Sequence, residues 1–167
     1  ISIINKALST LLDMLKSAAA EVKSPEEKML AIGRAYMSFY KEHRSSFVIA
    51  NFMLDKDEDA IKKGCEEFKD KVSEMVVIDN EIWEFVIGVY DEGVRQGVFR
   101  SDLNSAETAL MLWSASNGVI RFIDHIIMAH NNRPPTFESL EQGHALEKLF
   151  DGISLDKLMS NLWDMTL

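Results

Sequence analysis

Apolar residues recur at three- and four-residue steps along nearly the whole chain, and nowhere do they alternate one in two. Steps of three and four line one face of an α-helix, whereas alternation lines one face of a strand. Residues 1–23 place Ile4, Ala7, Leu8, Leu11, Leu15, Ala18, Ala19 and Val22 on such a face. A second helix carries Met29, Ile32, Ala35, Tyr36, Phe39 and Tyr40 and ends near His43-Arg44. A short third helix, from about Ser46 to Leu54, is apolar nearly all round, which predicts that it is buried. A long pattern follows from about Asp57 to Gln96, with Asp79-Asn80 the place where it has room to break. Ser105 to about His130 forms the next helix, 138–151 a short one around Gly143, and Ser154 caps a last one.

The punctuation between these stretches agrees with the periodicity. Ser24-Pro25-Glu26-Glu27 is a helix start: serine caps, proline suits the first turn, and Glu27 closes a capping box. Gly97 takes the left-handed conformation that ends a helix at little cost. Asn104, with Glu107 three residues on, opens the following helix. Asn131-Asn132-Arg133-Pro134-Pro135 is a loop, because paired prolines stop a helix. Eight glycines and three prolines in 167 residues are too few for a turn-rich β protein. The expected fold is all-α, a bundle of about seven helices forming one domain over 1–167.

The totals exclude several classes. A net charge of −9 denies this chain an average surface fit for duplex DNA, whose phosphates are held by Lys and Arg. No apolar run reaches membrane-spanning length and no signal peptide is visible, so a membrane partner is not expected. One cysteine, Cys65, rules out an internal disulfide and suits a reducing cytoplasm; its plain role is a small buried hydrophobe. Phosphate loops, nucleophile elbows and zinc-protease spacings are absent, so no enzyme, no catalytic residue and no cofactor is expected. Glu141 and His144 have the spacing of a di-iron bundle ligand pair, but no second pair accompanies them and Gly143 weakens their helix, so no metal is expected. His125 and His130 are five apart and do not share a face.

The stretch from Glu92 to Gly118 carries a resemblance. Glu92, Gly93, Gly97, Phe99, Arg100, Asp102 and Leu103, then a long apolar helix with Asn117-Gly118 in its middle, resemble the penultimate-helix junction of the C-terminal domain of TetR/AcrR-type transcriptional regulators. The Ser-Pro-Glu-Glu entry with its Ile and Tyr/Phe positions over 24–40 is similar to the second helix of that family's effector domain. The resemblance implies a ligand-responsive regulator, a repressor-type protein in which a small, mostly apolar effector alters operator binding. Ile1 sits at once in a helical pattern with neither initiator Met nor cap, and the expectation is that a DNA-binding helix-turn-helix module precedes it. DNA would then be met only through that module.

Helix 105–130 is apolar on two sides and must be covered on two sides. Steps from Leu110 give Trp113, Asn117 and Ile120, whereas steps from Leu112 give Ala115, Val119, Phe122 and Ile126. The final helix makes a like demand through Leu155, Leu158, Met159, Leu162 and Trp163. These two sets are the expected homodimer interface, two helices from each subunit forming a four-helix bundle, as the family pairs. Asn117 needs partners if buried, and either a structural bond or an effector cavity supplies them. The family's arrangement, with the periodicity, makes Tyr36, Tyr40, Phe47 and Asn51 one part of an expected cavity wall. Met75, Ile78, Ile82, Trp113 and Asn117 make the rest. Nine Met and nine Phe suit an adaptable cavity and equally a solid core. Two other classes therefore stay open: a ligand-free helical dimerisation or adaptor module, and a helical bundle that holds a metal or lipid.

Overall fold

The computed structural model describes residues 2–51 and 69–131, with side chains throughout except at 69, 71 and 123–131. Five helices lie among the described residues: α1 (Ser2–Ala20), α2 (Pro25–Glu42), α3 (Arg44–Ala50), α4 (Lys69–Arg95) and α5 (Ser105–Asn131). No strand occurs among them, so the all-α expectation holds for this part. The helices expected over 138–151 and from Ser154 lie outside the described residues, as do Leu155, Leu158, Met159, Leu162, Trp163, Cys65, Glu141 and His144. No helix of the described residues is long and apolar enough to cross a membrane. The chain resolves into two compact units, Ile1–Ala109 and Leu110–Leu167.

The first unit is built on the α1–α2 pair, with α3 and α4 added to it. Ile4, Leu8, Leu11, Leu12 and Leu15 form the buried stripe of α1. Met29, Ile32, Tyr36 and Phe39 do the same for α2, with Met29 and Phe39 fully buried. Burying a side chain of this size is worth about 1.5–3 kcal/mol, so these stripes supply much of the folding drive. The direction of the helices follows from cross-links. Asn5 and Lys16 of α1 meet Glu74 and Glu81 of α4 in ascending order, so those two helices run parallel. Lys28, at the start of α2, meets Glu92 at the end of α4, so α2 runs back the other way.

The helix ends form as the punctuation predicts. Ser24 accepts a hydrogen bond from the Glu27 backbone at 3.1 Å, the Ser24 backbone donates to the Glu27 carboxylate at 3.3 Å, and Pro25 opens α2. Hydrogen bonds donated by the Ser24 backbone and by the Ser24 hydroxyl hold the Glu27 carboxyl below its ordinary range. Gly97 has φ of +72°, the only positive φ among the described residues. Its N–H donates to Val94 and the Val98 N–H to Gly93, the pair of bonds that closes a helix with a left-handed glycine. Asn104 Oδ1 accepts from the Glu107 backbone at 3.0 Å and starts α5.

The question that the sequence leaves open at Asp79-Asn80 is answered, and one expectation is corrected. α4 runs unbroken through Asp79-Asn80. Neither residue breaks a helix when apolar neighbours at three- and four-residue steps hold both flanks. The third helix begins at Arg44, two residues early, and it is not buried all round. Phe47 is buried, but Val48 is 55% exposed. A seven-residue helix lying on α1 and α2 has one supported side, and Phe47 takes it.

Candidate functional site

The junction of α2 and α3 is an aromatic elbow. His43 ends one helix and begins the next, so the chain turns within a single residue. The turn brings Phe47 back onto the last two turns of α2. Its ring meets Tyr40 edge-on at 5.2 Å between centroids and Tyr36 edge-on at 5.7 Å, with Phe39 at 6.3 Å. Edge contacts of this kind add about 0.5–1.5 kcal/mol beyond the area they bury. Arg44 lies over the outer face of Tyr40 at 5.6 Å, and His43 lies against Phe39. Asn51 is buried at the far end of α3, where its amide donates to the Phe47 carbonyl at 2.9 Å.

Four of the expected wall residues, Tyr36, Tyr40, Phe47 and Asn51, therefore gather in one place. Met75, Ile78 and Ile82 lie on α4 at steps of three and four, each half-buried. Their helix packs on α1 and α2, while α3 also packs on α1 and α2. A residue that the sequence marked only as a place for a helix break sits beside them. Asp79, one step from Ile78 and three from Ile82, is an exposed residue whose carboxyl is partly shielded from water. That desolvation pushes its pKa up, against a hydrogen bond from Trp83 that pulls the other way. Its sequence signal was an acid inside an apolar helical run, which reads more simply as a helix break.

Trp113 and Asn117 belong to the second unit. Trp113 is half-buried and Asn117 is 6% exposed. The Asn117 amide donates to the Trp113 carbonyl at 3.2 Å, one turn back on its own helix. Ser116 does likewise, its hydroxyl donating to the Leu112 carbonyl at 2.7 Å. Both side chains thus return a hydrogen bond to their own helix one turn back.

The expected dimer face of α5 is divided. Leu112 is already buried within the single chain, Ala115 and Val119 are half-buried, and Phe122 is 54% exposed. Leu110 and Met111 are exposed too, and with Ser114, Gly118 and Phe122 they form a continuous exposed arc. Gly118 faces open space, since a Cβ there would meet nothing within 4 Å. The Ile126 side chain lies outside those described. Among the described residues no group of three or more His, Cys, Asp or Glu stands close enough to hold a metal ion.

Compared with known proteins, the chain matches no family model, no curated protein and no solved structure.

Proposed function

We propose that this chain is the effector-binding and dimerisation domain of a ligand-responsive transcriptional regulator of the TetR/AcrR type. The effector is a small, mostly apolar molecule, and no bond is made or broken. Operator contact would belong to a separate basic helix-turn-helix module, because a chain of net charge −9 offers no average surface for DNA phosphates. The observation that carries the reading is the α2–α3 elbow. Three aromatic rings from two helices and one buried amide meet there, a mostly apolar surface whose polar groups are the Asn51 amide and the two tyrosine hydroxyls. A ligand that parts these rings replaces edge contacts with its own surface and shifts α3 relative to α2. Coupling of about 1–3 kcal/mol between such a shift and the reading heads changes operator affinity about 5- to 150-fold. The exposed arc of α5 supports pairing, because Leu110, Met111 and Phe122 are large apolar side chains left facing outward.

The rival with an observation of its own is the solid helical adaptor. The elbow rings already satisfy one another, as rings in a filled core do. A thermal-denaturation screen against lipophilic compounds separates the two readings. A ligand present at 100 times its Kd stabilises by about 2.7 kcal/mol. The regulator reading expects compounds that raise Tm for the native chain and lose that effect in Phe47→Leu. A complete absence of stabilising compounds across the panel favours the adaptor.

A further inference from the structure

α4 leaves one strip of its surface open. Val76 is 47% and Val77 56% exposed, Ile87 is half-buried, and Glu84, Gly88 and Asp91 are exposed. At 3.6 residues per turn these positions share one face, opposite Ile78, Ile82 and Val89, over about 22 Å of helix. Gly88 is the feature that nothing among the described residues explains. A glycine weakens a helix interior, and a Cβ there would meet nothing within 4 Å. Gly93, one turn on, is bare because Phe99 fills the space before it; Gly88 is bare before open space. The charge of the strip has one sign. Between Lys71 and Arg95 every charged residue of α4 is acidic: Glu74, Asp79, Glu81, Glu84, Asp91 and Glu92. Lys16 answers Glu81 and Lys28 answers Glu92, while Asp91 takes a neutral hydroxyl, that of Ser105. The outward excess is therefore negative, and it borders exposed valine.

We propose that this strip is a docking face for a cationic amphipathic helix of a separate protein. Its aliphatic side would lie on Val76, Val77 and Ile87, its backbone would approach closest at Gly88, and its Lys or Arg would face Glu84 and Asp91. The charge decides against other occupants. A second copy related by a two-fold axis would set Glu84 against Glu84 and the valines against Asp91. Nucleic acid and anionic lipid are repelled by the same carboxylates. The proposal concerns α4 alone and stands whether or not the domain binds an effector.

Amide resonances of the full 167-residue chain, titrated with a synthetic Leu/Lys amphipathic helix of about five turns, test this. The peptide should shift Val76, Val77, Glu84 and Gly88. Gly88→Leu, which occupies the approach, and Glu84→Lys should each weaken its Kd by about tenfold or more. Neither should lower Tm, and Gly88→Leu should raise it, so lost binding is not lost folding. Asp13→Lys, the same change of charge on the exposed side of α1, should leave the affinity within about twofold. Equal weakening by Asp13→Lys would reduce the binding to general attraction toward an acidic chain and overturn the strip. No binding to the native chain, or unchanged affinity in Gly88→Leu or Glu84→Lys, overturns it as well. Sedimentation of the peptide-free chain tests the occupant: a dimer that Gly88→Leu splits would put a second copy on this face and contradict the proposal.

Discussion

Phe99 lies flat on Tyr90, with ring centroids 4.8 Å apart and planes 19° apart, and its ring fills the space in front of Gly93. A Cβ at Gly93 would stand 2.9 Å from Cγ of Phe99 and closer still to Cδ2 and Cε2. The left-handed turn at Gly97 folds Phe99 back onto α4, so the glycine at 93 and the one at 97 serve the same return of the chain. Gly93→Ala should destabilise by about 1–3 kcal/mol through overpacking. In a Phe99→Ala background, which itself costs about 3–5 kcal/mol, the alanine at 93 should cost almost nothing. Urea unfolding of the four proteins gives the coupling, and simple additivity would contradict this account of the turn.

The α2 cap offers a smaller, local effect. Ser24 and Glu27 satisfy each other's backbone groups at an exposed helix start. Ser24→Ala should cost about 1 kcal/mol, whereas Ser24→Asp should retain most of the stability. Denaturant midpoints decide this, and equal losses in both variants would place the effect elsewhere.

The elbow predicts a larger loss. Phe47 is buried and touches three rings of α2. Phe47→Ala should lower stability by about 3–5 kcal/mol. Val48→Ala, one residue on and exposed, should change it by less than about 0.5 kcal/mol. Comparable losses at both positions would mean that α3 is enclosed on all sides.

Two carboxyls should shape the acid limb of stability in opposite senses. The hydrogen bond from Lys28 holds Glu92 below its ordinary 4.5. Its contribution is therefore full above that value and is lost as pH falls through the lower, folded one. Asp79 is raised from 3.8 by desolvation, so the folded state takes up its proton before the unfolded chain does. Stability tied to Asp79 is therefore gained as pH falls through its raised value and lost as pH rises through it. Chemical denaturation as a function of pH should show Glu92→Gln with a shallower acid loss and Asp79→Asn with a higher plateau at neutral pH. Asp79→Asn less stable than the native protein at neutral pH would contradict the assignment.

The parts of this fold that were legible in sequence are those decided within a few residues. The Ser24 box, the Gly97 turn and the Asn104 cap are local chemistry, and the α1 and α2 stripes are local periodicity. Tyr36, Tyr40 and Phe47 meet because one short turn separates their helices, which spacing also reveals. Contacts across long separations were not legible. Nothing local in the sequence joins Asn5 to Glu74, 69 residues away, or says that Phe99 needs Gly93 bare. Periodicity marked α3 as apolar all round, but which side is covered depends on how few neighbours a seven-residue helix has. On α5, stepping by three and four put Leu112 on a partner-facing side, while burial within the single chain takes it and leaves Leu110 and Met111 exposed.

Native mass spectrometry of the 167-residue chain, incubated with a panel of lipophilic compounds, tests the proposed function most directly. The account predicts twice the protomer mass, with a compound retained on the native protein and lost from Phe47→Leu. A protomer-mass species that retains no compound would contradict it.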